Sequence, residues 1–148
     1  MNYHLHPQLE KDCFKVGRLP LCQVLMMNDR QYPWFILVPQ RADVREVFEL
    51  SKQEQQMLWH EVAWLGEHLM TTYQGEKLNI GALGNMVPQL HVHVIVRDQY
   101  DAAWPAPVWG KSPAKAFRVE DAAQRIARVE TLLTTYVPPT FGNVDSEA

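Results

Sequence analysis

One long amphipathic helix in the middle of the chain restricts the fold more than any other feature. Residues 51–54 form a capping box, with Ser51 at the helix N-cap and Glu54 three residues later. Apolar residues then recur at spacings of four, three and four, at Leu58, Val62, Leu65 and Leu69. This spacing predicts a helix from about Ser51 to Tyr73 that is closed by Gly75 and buries one face.

Segments of strand character lie on both sides of this helix. Residues 21–27 precede it and have the composition of a strand, and residues 34–38 are a continuous apolar run rich in strand-forming side chains. Residues 78–83 and 89–96 follow it and alternate apolar with small or polar side chains. We therefore predict an α+β fold with antiparallel hairpins before and after the long helix. A weaker apolar stripe predicts a further helix near the C-terminus, at Ala122, Ile126, Val129 and Leu133.

The composition is typical of one globular domain. The chain has 148 residues, of which 47% are hydrophobic and 21% charged, and its net charge is −3. We predict a single domain over residues 1–137 and a loose tail over 138–148, where the apolar periodicity stops.

The acidic balance disfavours nucleic acid as a partner, and no apolar run reaches the roughly 18 residues that a membrane span needs. Two cysteines and an N-terminus without signal-peptide character predict a reduced, cytoplasmic protein.

The residues with most chemical potential are Gln89, His91 and His93, which alternate along one predicted strand. Successive side chains of a strand point to opposite faces, so these three share a face, about 7 Å apart, while the apolar residues between them face the core. Such an imidazole can act as a nucleophile, an acid or base, or a metal ligand. Backbone amides of the preceding Gly84–Asn85 turn can bind an anion. The pattern by itself leaves open that these are ordinary surface histidines.

The run from Gln89 to Ile95 resembles the signature of the histidine triad (HIT) family, in which three His alternate with apolar residues. Gln89 stands where the family has its first His. Asn79, the segment from Gly84 to Val87, and the apolar strand before the long helix match further family blocks in the same order. The resemblance covers roughly residues 20–110. It implies a HIT-like fold, with an antiparallel sheet, one long helix between hairpins and a C-terminal helix, and a homodimer.

The resemblance also implies a function at the α-phosphate of a purine nucleotide conjugate, a phosphoramidate or a dinucleoside polyphosphate, with no metal or other cofactor. His91 matches the His that attacks phosphorus and carries the nucleotidyl group. His93 matches the His that contacts the phosphate, and Gln89 the His that supports the imidazole network. The positions that match nucleotide contacts of the family are Asn28, Asp29, Asn79, Gly84 and Asn85.

The chain also departs from the family pattern. Gln89 cannot titrate, and Met86 lacks the hydroxyl that the family offers near the leaving group. The family's helper His would fall near Trp34, where no His lies. Two alternatives therefore stay open. One is a catalytically weak nucleotide-binding or interaction module, and the other is a metal-dependent enzyme with His91 and His93 as ligands.

Two segments outside the motif carry aromatic or His side chains without a clear assignment. The loop from Trp104 to Gly110 contains two Trp and two Pro, and we predict that it packs on the core or at an interface rather than on a nucleotide base. His4 and His6 form a second His-x-His pair. We predict that they are solvated at a frayed N-terminus.

Overall fold

The computed structural model describes residues 2–140. Over that range the chain forms one five-stranded antiparallel sheet with three α-helices and a short 3₁₀ helix. In chain order the elements are α1 (Pro7–Asp12), β1 (Cys13–Arg18), β2 (Cys22–Met27), β3 (Trp34–Pro39), the 3₁₀ helix (Val47–Glu49), α2 (Lys52–Tyr73), β4 (Lys77–Gly81), β5 (Val92–Arg97) and α3 (Val119–Leu133). The strand order is β1-β2-β3-β5-β4, so β5 lies inside the sheet and β4 at its edge.

The predicted long helix is confirmed as α2. The Ser51 hydroxyl accepts a hydrogen bond from the Glu54 amide, and the Glu54 side chain accepts one from the Ser51 amide. The C-terminus differs from the prediction, because Gln74 and not Gly75 takes the left-handed conformation, with φ of 51°. Gly75 is needed for space, since a Cβ there would lie 2.3 Å from Cγ1 of Val96.

Both predicted hairpins are also confirmed, since β2 pairs with β3 and β4 pairs with β5. The strand predicted to begin at Gln89 begins at Val92 instead, so Gln89 and His91 lie in the segment just before β5. The elements α1 and β1 were not predicted from the sequence. Residues 141–148, which make up most of the predicted loose tail, lie outside the described residues.

The sheet separates two apolar layers. On one face, α2 and α3 pack against the sheet, and Leu90, Val92 and Val94 are buried there, as the alternation predicts. On the opposite face, α1 and the loop after β5 contribute Leu9, Ala103 and Val108 to a second buried cluster. That second face is the one toward which the strand periodicity directs His93. No helix among residues 2–140 is long and apolar enough to cross a membrane.

Candidate functional site

A cavity of about 380 Å³ lies on the second face of the sheet, at the start of β5. His91 and His93 line it, together with the indole rings of Trp34 and Trp109. The rest of its wall comes mainly from α1, the end of β2 and the turn before β5, through Leu9, Asp12, Met27, Gly84, Asn85 and Met86. The two histidines are 6% and 5% exposed, so they are buried groups and not surface histidines.

His91 is held as a neutral imidazole with one free nitrogen. Its Nδ1 lies 2.7 Å from the backbone carbonyl oxygen of Gln89. A carbonyl oxygen only accepts hydrogen bonds, so Nδ1 carries the proton and Nε2 keeps its lone pair. Burial lowers the pKa of His91 below its usual 6.5. The ring is therefore uncharged near neutral pH and available as a nucleophile through Nε2.

His93 is held in the opposite tautomer by Trp34. The Trp34 indole Nε1–H donates a hydrogen bond to Nδ1 of His93 over 3.0 Å. An indole has no acceptor, so Nδ1 of His93 accepts and the proton of the neutral ring lies on Nε2. Burial, with the neighbouring His91 as a smaller cause, lowers the pKa of His93 to about 3. His93 is thus a fixed neutral donor, with its ring centroid 5.0 Å from that of His91.

Trp109 completes an aromatic wall around His93. The Trp109 ring centroid lies 5.2 Å from that of His93 and 6.2 Å from that of Trp34, in edge-to-face arrangements. Its Nε1 is buried and has no hydrogen-bond partner among the described residues. The loop from Trp104 to Gly110 therefore does two things, since Val108 packs into the core and Trp109 lines the cavity.

The Gln89 side chain binds the N-terminal segment with both of its polar atoms. Its Oε1 accepts a hydrogen bond from the His6 amide at 2.8 Å, and its Nε2 donates one to the His4 carbonyl at 2.9 Å. The amide of Gln8 donates to Nδ1 of His6 at 3.0 Å, which caps α1. Residues 4–8 are therefore fixed beside the site, whereas the sequence predicted solvated histidines at a frayed end. The contact between Gln89 and the His91 ring is made by the backbone carbonyl of Gln89.

Asn28 and Asp29, two of the predicted nucleotide contacts, anchor loops at the end of β2. The Oδ1 atom of Asn28 accepts a hydrogen bond from the Phe117 amide at 2.9 Å. Asp29, which is 3% exposed, accepts hydrogen bonds from the Gln31 amide at 3.0 Å and from the Lys115 amide at 3.4 Å. Both side chains thus connect the β2–β3 turn to its surroundings and lie outside the lining of the 380 Å³ cavity.

The other predicted nucleotide contacts divide between two places. Asn79 on β4 accepts a hydrogen bond at 2.9 Å from Arg97, whose buried guanidinium also pairs with Asp101 at 2.6 Å. Gly84 and Asn85 line the cavity. Gly84 has a φ of 80°, a backbone conformation that residues with a side chain rarely adopt. The structure therefore brings Gly84 and Asn85 together with the histidines and places Asn79 in a buried polar cluster.

The sequence interpretation missed the contributions of Trp34, Trp109 and the N-terminal segment. The sequence marks Trp34 only as the position where the family's helper His is lacking. Its indole N–H is a hydrogen-bond donor, and that donor property could have indicated a contact with the histidines. Among residues 2–140, no group of three or more His, Cys, Asp or Glu side chains is placed to hold a metal ion. Nδ1 of His93 uses its lone pair to accept the hydrogen bond from Trp34, and Nε2 carries the proton. Neither nitrogen of His93 therefore has a free lone pair with which to bind a metal ion.

Comparisons with known proteins show which proteins the chain is similar to. The family model described as HIT domain matches residues 8–100. A histidine triad protein from Sinorhizobium meliloti 1021 is 48% identical, with a TM-score of 0.85 over 88% of this chain and 96% of that one. Another from Marinobacter aquaeolei VT8 is 47% identical, with a TM-score of 0.88 over 91% and 98%. A third from Bradyrhizobium japonicum is 41% identical, with a TM-score of 0.85 over 87% and 96%. No curated protein matched the chain.

Proposed function

Because the chain belongs to the histidine triad (HIT) family, we propose that it is a nucleotide hydrolase or transferase that forms a nucleotidyl intermediate on His91. The substrate in this proposal is a purine nucleotide joined through its α-phosphate to a leaving group, as in a phosphoramidate or a dinucleoside polyphosphate. The observation that supports it best is the pair of opposite tautomers. His91 offers a lone pair at Nε2, and His93 offers an N–H donor at the same ring position.

The first step forms a bond between Nε2 of His91 and the α-phosphorus. The bond from phosphorus to the leaving group breaks, and the leaving group takes the bonding pair and a proton from water. His93 donates a hydrogen bond to a phosphate oxygen and stabilises the charge that develops there. An acid that gives up the proton on Nε2 would need a new proton on Nδ1 to stay neutral. Nδ1 already accepts the hydrogen bond from the Trp34 indole, which holds its own proton. In this proposal His93 therefore binds the phosphate and does not act as an acid.

The second step releases the nucleotide. A water oxygen bonds to phosphorus, the phosphorus–nitrogen bond to His91 breaks, and Nε2 regains its electron pair. The proton lost by water passes to solvent or to a phosphate oxygen. If an alcohol or a second phosphate replaces water as the acceptor, the same intermediate gives transfer instead of hydrolysis.

The cavity walls suit the two parts of a nucleotide. Apolar and aromatic side chains, Trp109 among them, offer a surface for the base. We place Gly84 and Asn85 at the phosphate, because they line the cavity beside His91. Asn28 and Asp29 support the nucleotide site indirectly, by holding the turn that leads into Trp34.

Gln89 has two parts in this proposal. Its backbone carbonyl orients His91, as the hydrogen bond to Nδ1 indicates. Its side chain stands where the family has a titratable His, and it makes two hydrogen bonds to the N-terminal segment. That segment leads into Leu9 and Asp12, which line the cavity. A His at this position could not reproduce both hydrogen bonds with the geometry of a primary amide.

We also propose that the protein acts in the cytoplasm as a homodimer. Strand β4 is an edge strand, so its outer backbone groups are unpaired within the described residues. Ile80 on that strand is 46% exposed, so a large apolar side chain lies at the same edge. A second copy that continues the sheet would cover both.

The experiment is steady-state hydrolysis of a fluorogenic AMP phosphoramidate by the protein and by His91→Ala. We expect a loss of at least 10²-fold, as for removal of a general base or a nucleophile, with AMP binding retained. His68→Ala is the matched control, because His68 lies on α2, away from the cavity of His91, and within residues 2–140 its side chain hydrogen-bonds the Trp64 carbonyl alone, at 2.9 Å. Turnover that survives in His91→Ala would refute the mechanism. AMP binding without turnover in the unaltered protein would instead support the binding-module alternative.

A further inference from the structure

A second cavity, of about 420 Å³, lies between the end of α2 and the helix α3. The residues that line it include Arg30, Tyr73, Phe117, Asp121, Arg125 and Arg128. None of these lines the cavity that contains His91 and His93 among the residues described.

The charge of this cavity is strongly positive for a chain whose net charge is −3. Three guanidinium groups, from Arg30, Arg125 and Arg128, meet one carboxylate, that of Asp121. Within residues 2–140 none of the three forms an ion pair with a carboxylate, whereas Arg41, Arg97 and Arg118 each do. Unpaired cations that converge on a concave surface attract an anion.

Arg125 is held in place by neutral groups that leave its charge uncompensated. Its Nη1 donates a hydrogen bond to the Tyr32 carbonyl at 3.3 Å. Its guanidinium carbon lies 4.8 Å from the ring centroid of Tyr73 and 5.2 Å from that of Phe117. Two aromatic contacts and one carbonyl fix the direction of the guanidinium group while most of its N–H donors stay available.

The other two arginines are arranged in a similar way. The Arg128 guanidinium carbon lies 5.9 Å from the Tyr73 ring centroid, so this ring positions two arginines one helical turn apart. From the β2–β3 turn, Arg30 donates through Nη1 to the Ala116 carbonyl at 3.3 Å. The cavity therefore presents oriented guanidinium donors from two different segments of the chain.

We propose that this cavity is a binding site for a diphosphate group, free as pyrophosphate or carried by a nucleotide. Guanidinium groups match phosphate oxygens with paired N–H donors, and three of them can share the several negative charges of a diphosphate. The 420 Å³ volume is ample for two linked phosphates. Among residues 2–140 this cavity shares no lining residue with the cavity of His91 and His93, so anion binding can be tested apart from the proposed chemistry at His91.

The experiment is calorimetric titration of the full chain with pyrophosphate at low ionic strength. We expect Arg128→Gln and Arg30→Gln each to weaken binding about tenfold, as for loss of one charge-assisted hydrogen bond. Asp121→Asn is expected to strengthen it, because it removes the one carboxylate that residues 2–140 contribute to the cavity lining. Arg118→Gln is the matched control, since Arg118 is a surface residue paired with Glu120 at 3.9 Å, and it should leave the affinity unchanged.

Several outcomes would overturn the site. These are no binding at millimolar pyrophosphate, equal affinity in all four variants, or loss of binding in His91→Ala, which would place the anion in the other cavity. A parallel titration with ADP identifies the source of the diphosphate, because only a nucleotide-borne group predicts ADP binding that depends on Arg128. A failure of the proposed function would show as absent turnover, with pyrophosphate binding unaffected.

Discussion

Trp34→Phe removes the indole donor of His93 and keeps an aromatic ring in the same place. Nδ1 of His93 would lose its partner while the side chain stays 5% exposed, and an orphaned buried acceptor costs about 1–3 kcal/mol of folding free energy. The same hydrogen bond holds the tautomer. If it is worth about 1 kcal/mol, its loss changes the ratio of the two tautomers by about fivefold. The pKa of His93 would rise, because the bond from Trp34 favours the unprotonated Nδ1.

The assay is ¹⁵N NMR of the histidine side chains, which distinguishes protonated from unprotonated ring nitrogens. In the unaltered protein we expect His93 to be protonated at Nε2 alone between pH 5 and 8, and in Trp34→Phe to show both tautomers. Trp109→Phe is the matched control, since the Trp109 ring also lies against His93, at 5.2 Å, and makes no hydrogen bond to it. A proton on Nδ1 of His93 in the unaltered protein would refute the argument. So would an equal change of tautomer in the two variants.

Three further predictions concern His91, Gln89 and Asn79. The rate should show one acidic limb with an apparent pKa below 6.5, because only neutral His91 attacks and protonation of Nε2 abolishes the rate as the pH falls. A kcat/KM profile with a limb at or above 6.5 would contradict this. Gln89→Ala should speed amide hydrogen exchange over residues 4–12 about tenfold or more, since two hydrogen bonds to that segment are lost. Unchanged exchange would show that the Gln89 side chain does not hold this segment. Asn79→Ala should lower the free energy of unfolding by about 1–3 kcal/mol, because Arg97 loses an acceptor, with AMP affinity unchanged in calorimetry. A weaker AMP affinity with an unchanged free energy of unfolding would show that Asn79 contacts the nucleotide, as the family resemblance implies.

The parts of the fold that sequence reasoning predicted are those with strong local signals. The capping box and the apolar stripe of α2 act within a few turns, and the alternation in β5 follows from the geometry of a single strand. The helix α1 has six residues and buries only Leu9, so its periodicity cannot be recognised. β1 is an edge strand whose register shifts between Lys15 and Gly17, which breaks the alternation that would have revealed it.

The candidate site was predictable only in part, because most of its contacts join distant residues. The positions of His91 and His93 follow from the motif, and the carbonyl that orients His91 is two residues away. The Trp34 donor is 59 residues from His93, and the Gln89 side chain reaches His4 and His6 across 85 and 83 residues. No periodicity encodes such pairs. They depend on which strands become neighbours in the sheet.

The most direct measurement is rapid quenching of the protein during turnover of the AMP phosphoramidate, followed by intact-mass analysis and peptide mapping under neutral to basic conditions, where a phosphorus–nitrogen bond survives. The central claim is that Nε2 of His91 carries the nucleotidyl group. It predicts one added AMP residue per chain, located on His91 and lost in step with product release. An adduct on another residue, or product formed at the full rate with His91 never modified, would contradict it.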